Sequence, residues 1–245
     1  LSLFGIRAFS TSVLALLFTI LALSGAWLMV FQYLQGVLGL SPLKAGLVML
    51  PPAILQVAAS FFVPVLSRRV RPAQLAGAGL LVGAAGMAIL SRVPESGSLL
   101  LLLTGSVVMG LGVMPMMILG TDMVVGAAPP EKTGAASAVS ETASELGMAL
   151  GVAVIGSIGM AVYRAVLARA LPSGVDAAAA RDALETLGGA MGLAESLPDA
   201  AAAALMQAVR QAFGAALTVN ASIGVALILG TALMVFVRLR HLGTR

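Results

Sequence analysis

The sequence has no cysteine in 245 residues, and it has one histidine and one tryptophan. Without cysteine there is no disulfide framework, no thiolate metal site and no cysteine nucleophile, and the redox compartment is left open. Charge is scarce too. Asp, Glu, Lys and Arg make up 10% of the residues and aromatics 4%, whereas an ordinary soluble domain carries about 25% charged residues. No Ser/His/Asp set, metal-spaced His or acidic group, or strand-borne phosphate loop is visible, so neither an enzyme nor a bound metal or cofactor is expected. The formal net charge of +4 makes no case for nucleic acid, because in so apolar a chain Arg and Lys mostly set orientation.

What the chain does have is grease. It is 60% hydrophobic with a mean hydropathy of +1.06, and the excess falls in repeated stretches of about 20 residues, each long enough to cross a hydrocarbon core as a helix. The expectation is an all-α integral membrane protein with six transmembrane helices, at about 11–34, 45–66, 75–91, 99–125, 135–163 and 213–237. Pro51, Pro52 and Pro64 predict a bent second span, and Pro115 an interrupted fourth. Gly77, Gly79, Gly83 and Gly86 predict a tightly packed third. Residues 164–212 are the one long polar segment. Their Ala-rich pieces, Asp176–Leu187 and Asp199–Phe213, have helical composition and are split by Gly188-Gly189 and Pro198, which predicts a long, partly helical extracytoplasmic loop.

Basic residues orient the chain. Arg7, Arg68, Arg69, Arg71, Lys132, Arg238, Arg240 and Arg245 share one side, and only Lys44 and Arg92 lie in short loops on the other. The positive-inside rule then puts both termini in the cytoplasm. The chain begins at Leu1 rather than Met and enters its first span within about a dozen residues, so it reads as a piece of a longer chain.

The fifth span is the unusual one. Within Gly134–Gly156, Ser137, Ser140, Glu141, Ser144 and Glu145 are assigned to one helical face, and Ala143, Gly147 and Gly151 form a small-residue stripe suited to helix packing. Two carboxylates inside a membrane-grade run predict proton-handling groups, since loss of solvation and a like charge one turn away both favour the protonated form. The bland alternative is a pair of solvated acids at headgroup level. Substrate-cavity candidates are Gln32, Gln56, Asp122 and Met114. For Asp122 a solvated or ion-paired role is the alternative, for the glutamines a tie between helices, and for Met114 lipid-facing filler.

Phe31-Gln32-Tyr33-Leu34-Gln35-Gly36 through Ser41-Pro42-Leu43-Lys44-Ala45-Gly46, followed by Leu50-Pro51-Pro52, resembles the major facilitator superfamily, specifically its fourteen-helix drug:proton antiporter branch of the QacA/EmrB type. Ser140-Glu141-Thr142-Ala143-Ser144-Glu145-Leu146-Gly147 is similar to the acidic helix of that branch. The basic loop at Ser67–Pro72 has arginines without the Gly and Asp of the family's signature loop. The resemblance implies the C-terminal six-helix half of a proton-coupled multidrug or small-molecule exporter working by alternating access in a bacterial inner membrane. Its first, second, fourth and fifth spans would line the cavity. The implied partners are the lipid bilayer, the proton, an amphipathic or cationic small molecule and a missing N-terminal transmembrane half. Two other readings stand beside it: a truncated, non-transporting membrane module that needs a partner half, and a same-fold exporter of a non-drug metabolite.

Overall fold

The computed structural model describes residues 2–171 and 176–239, all of whose regular elements are helical. The tail residues Arg240, His241 and Arg245 lie outside the described part. Six helical segments are long and apolar enough to cross a membrane. The first is α1 (Arg7–Gly36). The second follows a short α2 (Pro42–Val48) and is built from α3 (Leu50–Ser60) and α4 (Phe62–Ser67). The third is α5 (Pro72–Leu90), continued by the single turn α6 (Val93–Ser96). The fourth is α7 (Leu99–Gly126), and the fifth is α8 (Thr133–Leu150) joined to α9 (Gly156–Leu167). A hairpin of α10 (Ala177–Glu185) and α11 (Leu187–Glu195) precedes the last, α12 (Asp199–Leu239).

Each boundary has a local cause. Ser41 caps α2 by accepting from the Lys44 amide, with Pro42 in the first turn. Ser98 caps α7 through the Leu101 amide, and Asp176 caps α10 through the amides of Ala178 and Ala179. The second span breaks at Met49, just before Pro51 and Pro52, and again at Phe61, three residues before Pro64. Each proline lacks an N–H and its ring collides with the preceding turn. Pro115, by contrast, does not interrupt α7, which runs unbroken past it. It is buried at the contact with α5, where Gly79 leaves room for its ring.

α12 is 41 residues long, or about 60 Å at the helical rise of about 1.5 Å per residue, twice the hydrocarbon thickness. The Ala-rich piece 199–213, read from sequence as loop, is therefore the first part of the last helix. No breaker separates Asp199 from Leu239, and Gly214 serves a contact with Pro94. Gly188 and Gly189 likewise lie inside α11 and do not split the hairpin. The break is at Thr186, which caps α11 by accepting from the Gly189 amide at 2.9 Å, and Gly189 allows the backbone of α10 to cross at Asp182.

Four helices, α1, α7, α5 and α12, close a ring in which each packs on the next. The tightest seam is α5 on α7. Gly83 and Gly86 of α5 lie directly against the backbone at Gly112 and Met109 of α7, and Gly105 receives Leu90. In lipid no water-driven force draws helices together, so close backbone approach through small residues supplies the dispersion contact. The Gln56 side chain lies on Gly110, and through this contact α3 rests on α7. Both flanking spans, α3–α4 and α8–α9, cover this ring only partly. Phe61 and Phe62 are 73% and 70% exposed.

A side chain at Gly86 would run into the Met109 backbone, whereas Gly230 of α12 has open space around it. Gly86→Val is expected to destabilise the bundle by about 1–3 kcal/mol or more, the usual cost of overpacking, and Gly230→Val by less than about 0.5 kcal/mol. Thermal unfolding in detergent of the two variants checks this, and equal midpoints would refute the seam.

Candidate functional site

α8 is held against α1 by its small residues. Ala143, Gly147 and Gly151 are buried, and a methyl group on Gly147 would stand 2.7 Å from the Leu17 carbonyl oxygen. Gly151 meets Leu21 and Ser24, and Ile155 sits on Gly25. These contacts advance together along both helices, so α1 and α8–α9 run parallel. Ser24 Oγ donates to the Met148 carbonyl at 3.3 Å across the seam.

With that side fixed, the opposite side is free. Glu141, Thr142 and Glu145 are exposed, followed over the next two to three turns by exposed Leu146, Met148, Val152 and Val154. Ser140 departs from the face to which the sequence assigned it. It is 2% exposed and donates to Thr121 Oγ1 on α7 at 3.1 Å, because its angular position lies among Ala143, Gly147 and Gly151 rather than beside the acids. That bond also sets depth. Thr121 is followed by Asp122, and Ser140 by Glu141, so both acids lie at one level, Asp122 about one turn from the end of α7 at Gly126 and Glu141 about two turns from the start of α8 at Thr133. Glu145 is one turn, about 6 Å, deeper. Asp122 is exposed, and among the described residues none of these three carboxylates forms an ion pair.

The remaining candidates are dispersed. Gln56 is half-buried in the contact between α3 and Gly110, Met114 is half-buried on α7, and Gln32 lies near the far end of α1, away from the acids. Gln32 lines a half-open cavity of about 300 Å³ with Gln35, Met160, Glu185, Leu187 and Phe213, between the bundle end and the α10–α11 hairpin. The structure thus does not gather the sequence candidates into one site. It sets the acids at one depth and Gln32 at the other end of the bundle.

Two residues that sequence reasoning passed over hold the fifth span. Between α8 and α9 the chain forms one π-helical stretch, Gly151–Ile155, a departure common at functional positions. Asn220 of α12 donates from Nδ2 to the Ile155 carbonyl at 3.0 Å, and its buried Oδ1 has no partner. An amide alone in an apolar run was the available signal. Tyr163, fully buried, donates to the Ala183 carbonyl at 3.0 Å and packs its ring 4.6 Å from that of Phe213. It ties α9, α10 and α12 together, and nothing in its sequence neighbourhood announces that.

A multi-pass helical membrane protein with a closed four-helix ring and two partly uncovered flanking spans is the class this architecture defines. The chain belongs to the Major Facilitator Superfamily, whose family model matches residues 2–152. It is 37% identical over 241 residues to the multidrug efflux pump LfrA of Mycolicibacterium smegmatis, covering 98% of this chain and 47% of that protein. To the methyl viologen resistance protein SmvA of Salmonella typhimurium it is 32% identical over 214 residues, 86% of this chain and 42% of the relative. The puromycin resistance protein pur8 of Streptomyces alboniger is 36% identical over 152 residues, 60% of this chain and 30% of its own. A crystal structure of a bacterial homolog to the human lysosomal transporter Spinster, inward-facing and unoccupied, has the same fold, with a TM-score of 0.67 at 19% identity over 96% of this chain and 50% of that one. The chain spans about half the length of the relatives it matches.

Replacing Tyr163 by Phe removes one buried hydrogen bond and leaves the Ala183 carbonyl unpaired, a cost of about 1–3 kcal/mol. Amide exchange in α10 is expected to quicken several-fold while α5 and α7 keep their protection. Unchanged exchange in α10 would show that Tyr163 does not anchor the hairpin.

Proposed function

We propose that this chain is the C-terminal half of a proton-coupled drug exporter of the fourteen-helix branch. One observation carries this reading: α8, glycine-packed on α1 along one side, presents Glu141 and Glu145 on the side that the six helices leave uncovered. A charged group in a membrane span is costly unless it faces water or a polar partner. A second transmembrane half placed against α3–α4 and α8 encloses that face and turns it into the wall of an aqueous cavity. The similarity to multidrug efflux and resistance proteins supports a drug as the guest, and the share of their length that this chain spans supports a missing half.

In such a cavity the chemistry is competition for one charge. Glu145, deeper than Glu141, takes a proton from the outer side. A cationic amphipath entering from within stabilises the ionised form and displaces the proton inward. Rocking of the two halves about the site then exposes guest and proton to opposite sides in turn. Asp122, at the depth of Glu141 on the neighbouring helix, extends the same negative wall. The π-helical stretch lies one to three turns beyond Glu145, where a shift in register would rotate the acids relative to α9.

Drug-induced proton release from the native gene product, followed with a pH-indicating dye, tests this. Glu145→Gln is expected to lower it at least tenfold and Glu141→Gln less. Release that persists at the native level in Glu145→Gln would remove that residue from the coupling step. Because the chain has no cysteine, orientation has a simple test. A cysteine placed at Arg69 should react with a membrane-impermeant maleimide only from the cytoplasm, and one at Glu95 only from outside; the reverse pattern would invert the proposed topology.

A further inference from the structure

The cavity under the α10–α11 hairpin lies outside the acidic face of α8 and asks for its own occupant. Its walls come from four places in the chain: Gln32 and Gln35 near the end of α1, Met160 of α9, Glu185 and Leu187 at the turn between α10 and α11, and Phe213 of α12. At about 300 Å³ it is at the lower end of the range for small-molecule sites, which run from about 300 to 1,000 Å³. Three walls are apolar and flexible or aromatic. Glu185 is the one charged group lining it, and no cation is within ion-pair distance of Glu185 among the described residues. Arg181, one turn earlier on α10, is exposed and makes no ion pair with it. Gln32 and Gln35 add uncharged polar side chains to the wall.

We infer that this cavity is a binding site for a small aromatic ammonium, a monovalent organic cation with an apolar body, seated between the bundle end and the hairpin. The carboxylate repels anions, and the apolar walls disfavour a hydrated metal ion. The Phe213 ring and the Met160 thioether offer polarizable surface to the flat part of such a guest. Glu185 neutralises its charge. The hairpin is held over the site by the Tyr163 bond to Ala183. The site stands on this geometry; only its use as a stage in export rests on the function proposed above.

The test uses the native gene product in lipid nanodiscs and 4-azidobenzyltrimethylammonium as a photoreactive probe, with the labelled peptides identified by mass spectrometry. Adducts are expected on the segments containing Met160, Leu187 or Phe213. They should fall at least fivefold in Glu185→Gln, whose site is exposed and tolerates the isosteric change, and in Met160→Trp, which fills the space. Unlabelled benzyltrimethylammonium should suppress them, and its uncharged isostere neopentylbenzene should not. Adducts equal in the native protein and both variants, or suppressed equally by the two competitors, overturn the site. Glu145→Gln separates the two proposals: it is expected to abolish proton-coupled export and leave this labelling intact. Failed labelling in a product that still exports overturns the site alone, and labelling in a product that does not export upholds it while overturning the export reading.

Discussion

Close approach of helix backbones through glycine is the constraint on which the rest of this protein depends. Lipid is as apolar as leucine, so nothing in the bilayer squeezes two greasy helices together, and only dispersion over a large, near contact and a few interhelical hydrogen bonds hold them. Gly83 and Gly86 against Gly112 and Met109, Gly147 and Gly151 against α1, and Gly110 beneath Gln56 are those contacts. The first two sets let one backbone touch another at a distance that a Cβ would forbid, and Gly110 makes the same room for the Gln56 side chain. The four-helix ring closes for that reason, and the fifth span is fixed in rotation by the same means.

Fixed rotation is what gives the acids their meaning. The seam on α1 determines which side of α8 is hidden, and Glu141 and Glu145 take the other side as a consequence. Beyond them the helix passes through the π-helical stretch, whose Ile155 carbonyl is claimed by Asn220. One end of the fifth span thus carries charge, its middle a irregularity held by a buried amide, and its far end Tyr163, which secures the hairpin. A single segment, α8–α9, runs from the acidic face to Met160 in the wall of the cavity beneath α10–α11.

The number of spans, the glycine-packed third helix and the helical character of the Ala-rich pieces Asp176–Leu187 and Asp199–Phe213 are legible because they follow from local composition and spacing. Sequence reading failed where one residue type serves two physical roles. Pro115 suggested a break, and Gly188-Gly189 a split, yet Pro115 is accommodated beside Gly79 and Gly189 serves the crossing of α10. Ser140 looked like a member of the polar face, but a hydroxyl can satisfy itself on a neighbouring helix, here Thr121. The last helix was drawn too short because polarity suggested loop, although alanine-rich polar sequence is good helix former outside a membrane.

The amino-acid sequence by itself determined that this is a six-span helical membrane protein with two acids in its fifth span, since hydropathy and charge act residue by residue wherever the chain goes. Only the tertiary structure decided which side of each helix is covered. It turned Ser140 inward, put Gln32 and Glu185 around one cavity, although 153 positions separate them in the numbering of the chain, and gave Tyr163 and Asn220 their partners. The physical reason is that rotation and depth of a helix in lipid are fixed by its fit to neighbours far away in sequence, and no local pattern encodes that fit.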